Sequence, residues 1–172
     1  TYYHPSNSYI YLYGNMDMEE KLAFLDEHYL SHFDYLDVDS VIQEQKAFGA
    51  CRDVTLEYPV AENEGEEDNT YLSYNMVVGN AADSQMAMAF EVLDYALLSA
   101  PGAPLKQALL DVKAGKDVYG SYDDGILQPY FTVIAKGSNP DRKEEFVSVI
   151  RQVLGDIVKN GIDRKAVEAG IN

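Results

Sequence analysis

The chain has 172 residues, 47% hydrophobic and 24% charged, which suits one globular domain, or one domain with a piece of another, and not a disordered segment. Twenty-nine acidic against 13 basic residues give a formal charge of −16, which disfavours nucleic-acid binding and favours basic peptides, although acidity also serves plain solubility. No window holds the roughly 18 apolar residues of a membrane helix, the start TYYHPSNSYIYLYGN shows no signal-peptide pattern, and the single cysteine needs no oxidising compartment, so a cytoplasmic location without membrane contact is expected.

Ser8 to Tyr13 (SYIYLY) is a β-branched and aromatic run closed by Gly14-Asn15, and predicts a strand. From Asp17 to Phe33, Met18, Leu22, Leu25, Tyr29 and Phe33 form one stripe of an amphipathic helix, with acids near its start. A connector then leads to an extended segment at about Asp53 to Val60. The acidic stretch Glu62 to Asn69 reads as an exposed loop, and Thr70 to Val78 as a strand that the loop would join to the extended segment as a long hairpin.

Asp83 to Ser99 is apolar on nearly every side, which predicts a buried central helix broken by Pro101-Gly102. Pro104 suits the first turn of a short helix carrying Leu105, Leu109 and Val112, ended near Gly115. Asp117 to Tyr122 and Leu127 to Lys136 predict paired strands around Asp123-Asp124-Gly125. Asn139 is placed to cap a long helix with the face Phe146, Ile150, Val153 and Ile157, stopped at Gly161. Asp163 caps a last helix that runs to Asn172.

The order of elements predicts an α+β fold, a mainly antiparallel sheet with helices packed on one face. A lone leading strand and a last helix without a stop signal suggest an excised piece. An unpaired strand tends to recruit another chain, so a swapped dimer or disorder at the start is expected. Sedimentation showing a monodisperse monomer with residues 1–34 well ordered would count against it.

His28 and His32, four apart in EHYLSH, are the candidate metal ligands, because that spacing on a helix can grip one ion. A zinc peptidase also needs a glutamate between its histidines, whereas Glu27 precedes both, and the pair lies roughly 65–105° off the apolar stripe, on the solvent flank. Surface histidines are therefore the favoured reading, and no metal site and no catalytic residue are assigned. His4 has no partner. Asp37, Asp39 and Glu44 lack the glycine and glutamate of a calcium loop. Cys51 has no nearby histidine, and Asp123-Asp124 read as turn chemistry.

Several segments in order resemble the insulinase-like zinc metallopeptidases, closest to their presequence-protease branch: SYIYLYGN with DMEEKLAFLDEHYLSHF, then APGAPLKQALLDVKAGKDV, then YFTVIAKGSNPDRKEEFVSVIRQVLGDIVKNGIDRKAVEAGIN. The resemblance implies a parent enzyme of related α+β units closing around a chamber that degrades unfolded peptides. It implies that residues 1–34 are the terminal strand and helix of the catalytic unit and 35–69 a connector with the acidic loop. Residues 70–172 would be the core of the second, non-catalytic unit, truncated in its last helix. Zinc would sit on a His-x-x-Glu-His motif of the parent, absent here, so this piece alone is expected to be inactive and to hold no cofactor. Its partners would be the other units of the same polypeptide and unfolded, basic peptides. Two alternatives stay open: a scaffold subunit of the same fold without peptidase activity, and a small metal-binding module built on His28 and His32.

Overall fold

The computed structural model describes residues 2–61, 63 and 65–171, so positions 62 and 64 of the acidic stretch and the final residue lie outside the described residues. The chain divides into two compact units, Thr1–Gln43 and Glu44–Asn172.

The first unit holds one α-helix, α1 (Met18–His28), and two short 3-10 turns, Pro5–Asn7 and Leu30–His32. Asp17 caps α1 by accepting from the Glu20 amide at 3.1 Å. Two expectations fail here. The predicted helix to Phe33 stops at His28, because Tyr29 leaves the helical region (φ −138°, ψ −64°) and the chain tightens into the 3-10 turn. Ser8 to Tyr13 forms no strand, and its tyrosines stand in solvent. β-propensity needs a neighbouring ladder to satisfy backbone groups, and among the described residues none lies alongside.

The second unit carries the sheet. Its strands are β1 (Thr70–Val77), β2 (Asp117–Asp123) and β3 (Tyr130–Ser138), in the order β1-β3-β2, both pairs antiparallel. The long hairpin expected between Asp53–Val60 and β1 is absent: residues 53–60 are irregular, and β1 pairs instead with β3. The β2–β3 hairpin is present, with Asp123 opposite Tyr130 and a longer loop than a tight two-residue turn. Gly137 (φ 67°) does not end β3. It coincides with the irregularity that shifts the register between Thr70 and Tyr71.

Helices α2 (Ser84–Asp94), α3 (Pro104–Asp111), α4 (Lys143–Asn160) and α5 (Arg164–Ile171) complete the unit. Leu72, Phe131, Val133, Ala135 and Val118 from one face of the sheet form a single core with Leu98, Leu105, Leu109, Phe146 and Ile150 from the helices. The predicted α+β arrangement with helices on one face is therefore the fold. The 83–99 segment is a correction in detail. Its last turn widens into a π turn, Tyr95–Ser99, and only Ala96, Leu97 and Leu98 are buried, whereas Met88 in α2 is 67% exposed. A helix that is apolar all round does not itself choose which stretch lies on the sheet.

Local signals explain the helix ends. Pro104 opens α3, and the helix closes in a Schellman motif: the Ala114 amide donates to Leu109 O and the Lys113 amide to Leu110 O, with Lys113 left-handed at φ 55°. The Arg142 guanidinium donates to the Val112 carbonyl at 2.7 Å, satisfying another end-of-helix acceptor. Gly161 (φ 85°) ends α4, and Asp163 accepts from the Lys165 amide at the start of α5. Asn139 does not cap α4 with its side chain. A 3-10 turn, Pro140–Arg142, intervenes, and the Asn139 carboxamide pairs reciprocally with Asp68, at 2.9 Å from the Asp68 amide and 2.7 Å to its carboxylate. That bond from Asn139, helped by Lys116, holds the Asp68 carboxyl below the usual carboxylate range.

Candidate functional site

Helices cover one face of the sheet, and among the described residues no helix covers the other. Alternation along each strand sends Leu72, Tyr74 and Met76 inward and Tyr71, Ser73, Asn75 and Val77 outward on β1. Register then sets four cross-strand rows on the open face: Tyr71–Lys136–Asp117, Ser73–Ile134–Tyr119, Asn75–Thr132–Ser121 and Val77–Tyr130–Asp123. The surface has aromatic and apolar ends around a hydroxyl and amide centre. Lys136 Nζ lies 5.8 Å from the Tyr71 ring centroid. Ser73 and Asn75 bond each other at 2.8–3.0 Å, and Thr132 donates its hydroxyl to Asn75 Oδ1, which fixes the amide.

One edge of this face is acidic. The Tyr130 hydroxyl donates to Asp123 Oδ2 at 3.0 Å, and this bond raises its pKa above the ordinary tyrosine value. Tyr122 is also raised, first by burial and then by the nearby charges of Asp124, Glu91 and Asp83. Tyr122 faces α2 and the core, however, so of these acids it is Asp123 that stands on the open face. This arrangement suits docking of an extended or cationic chain. It brings together no nucleophile and base for bond cleavage.

The structure scatters the residues that the sequence singles out. His28 ends α1 with its ring 4.6 Å from that of Phe24, and His32 lies in the following 3-10 turn. The break at Tyr29 removes the single helix on which their spacing would have set them one turn apart. His4 accepts from the Ser6 amide and packs edge-on against Phe33. Cys51 is exposed, Asp37 and Asp39 lie in irregular chain, and Glu44 accepts from Asn80 at 2.5 Å. Asp123 also accepts from the Gly125 amide within its turn.

Among the described residues no three His, Cys, Asp or Glu side chains stand where they could hold a metal ion. These residues do not fit a zinc site. An apolar cleft of about 250 Å³ between the π turn, the start of α3 and the α4–α5 junction has Asp163 as its charged lining residue, already engaged as a cap. Among the described residues, then, the open sheet face is the surface fitted to recognition. Sequence reading missed it, although the alternation in TYLSYNMV and DVYGSYD carried the signal.

Comparison with known proteins agrees with this division between structure and chemistry. A family model described as the peptidase M16 inactive domain matches residues 1–172. Protein HypA of Clostridium perfringens is 46% identical over 171 residues, 99% of this chain and 18% of that protein. Presequence protease 1, chloroplastic/mitochondrial, of Arabidopsis thaliana is 31% identical over 99% of this chain and 16% of its own length. The mitochondrial presequence protease of Xenopus laevis is 27% identical over 98% and 17%. The chain thus spans less than a fifth of the curated relatives it matches. It belongs to the peptidase M16 inactive-domain family, a non-catalytic unit of the insulinase-like peptidases.

Proposed function

We propose that this chain forms part of the wall of a peptide-degrading chamber, bracing a zinc-dependent catalytic unit carried elsewhere in the same polypeptide. The observation that supports this most is the sheet itself: one face is sealed by helices, and the other offers exposed Tyr71 and Tyr119 around a fixed hydroxyl and amide centre. Such a face gives an unfolded peptide aromatic area and polar contacts without cutting it. The charge of −16 and Asp123 at the edge of the open face favour basic, targeting-type peptides, in keeping with the names of the presequence-protease relatives. The cytoplasm is the compartment proposed, on the strength of the single cysteine.

The test uses the full-length parent enzyme. Tyr71→Ala with Tyr119→Ala should raise KM for an unfolded basic peptide by about threefold to tenfold and leave kcat unchanged, the size expected for losing two partly buried aromatic contacts. The 172-residue chain alone should hydrolyse nothing. Chelator-sensitive cleavage by that chain would sink the proposal, as would an unchanged KM. A parent that binds peptides but cleaves none would favour the scaffold alternative.

A further inference from the structure

β1 is an edge strand, with β3 on one side and no strand on the other among the described residues. Such a row of open amides and carbonyls is a template for another strand. Immediately upstream, residues 53–60 (DVTLEYPV) match β1 in length and alternate as a strand does, yet they lie in irregular backbone. Their apolar side chains are left in water: Val54 is 71% exposed and Leu56 84%. Two contacts hold the segment where it is. The Asp53 carboxylate pairs with Lys143, and Tyr58 packs on Tyr71 with ring centroids 5.9 Å apart while donating its hydroxyl to the Asn69 carbonyl.

The two contacts act in opposite senses. Tyr58 already touches the beginning of β1, where an antiparallel neighbour arriving through residues 61–69 would start to pair. Asp53 is held at the wrong end. Lys143 opens α4 five residues after Ser138, which lies opposite Thr70 at the start of β1. A docked antiparallel strand would carry Asp53 to the Val77 end, roughly 25 Å away for eight residues. The ion pair and the docked strand therefore exclude each other. The pair is solvent-exposed, hence weak and screened by salt.

We propose that residues 53–60 are a strap that closes over the free edge of β1 as a fourth antiparallel strand, and that the Asp53–Lys143 ion pair is the latch that holds it open. Pro59 suits this place, since an outermost strand can turn a position without an amide toward solvent. Closure removes the exposed edge, so the unit switches between a sheet that can accept an extended partner and one that cannot.

Amide hydrogen exchange on the 172-residue chain tests this. Asp53→Asn frees the latch, and the amides of residues 54, 56, 58 and 60 should then exchange about twofold to fivefold more slowly than in the parent chain in low salt. Adding Leu56→Pro should return them to fast exchange, because a proline there removes an amide that the ladder with β1 needs. Unslowed exchange in Asp53→Asn overturns the proposal. So does protection that survives Leu56→Pro, which would place the segment somewhere other than against β1.

Discussion

Replacing Phe146 with alanine should destabilise the second unit by about 3–5 kcal/mol, read as a lower urea midpoint with unchanged slope. Phe146 is 1% exposed and stands one turn before fully buried Ile150, where α4 lies over the sheet and against α3. Its ring is part of the one core that joins Leu105 and Leu109 of α3 to Val133 and Ala135 of β3. Truncation therefore leaves a hole between three elements, none of which moves in without dragging the others. A domain of this size has a total stability of roughly 5–15 kcal/mol, so the loss removes a large share of it. Val158→Ala on the same helix is the control. Val158 is 85% exposed, and its truncation should change stability by less than about 0.5 kcal/mol. A Phe146→Ala protein as stable as that control would mean that α4 is not seated on the sheet.

Gly120→Val should be as damaging for the opposite reason. Gly120 lies mid-strand in β2, facing inward opposite Val133, and a Cβ added there would fall inside contact distance of Leu98 Cδ1 and of the Thr132 carbonyl oxygen. Leu98 is fixed by the π turn and by full burial, and the Thr132 carbonyl is backbone of the central strand. Neither can yield cheaply, so the cost is about 3 kcal/mol or more. Gly155→Ala supplies the comparison, since a Cβ at this α4 position meets nothing within 4 Å and should stabilise the helix by about 0.5–1 kcal/mol. Thermal unfolding of the two variants should move in opposite directions. A Gly120→Val protein that melts with the parent chain would show that the π turn does not press on β2.

Legibility in the sequence followed the range of the forces involved. Pro104, Gly161 and Asp163 act on their own turn of chain, and the helix boundaries that they predict are the boundaries found. β1 and the pairing of β2 with β3 were also legible, because alternation and a turn agree there, although β3 runs Tyr130–Ser138 and not Leu127–Lys136. Reading failed where a segment's structure depends on something distant. SYIYLY has the composition of a strand but no ladder to join, and the 83–99 helix could not reveal which of its apolar sides meets the sheet. The position of Asn139 before the helix predicts a cap, but its side chain bonds Asp68, 71 positions away in sequence. The open sheet face was hidden for a similar reason. Tyr119 belongs to it only because register sets that residue beside Ile134, and register is a property of the assembled sheet.

The strand order has a consequence for how the chain is made. β3 is the middle strand and the last of the three to be synthesised, beginning at Tyr130, about 50 residues after β1 ends at Val77. At ribosomal speeds of about 5–20 residues per second, β1 must wait some 3–10 s for β3, while β2 waits for hardly any time. The hairpin should therefore form first and recruit β1 afterwards. During that interval TYLSYNMV is the stretch most in need of a chaperone.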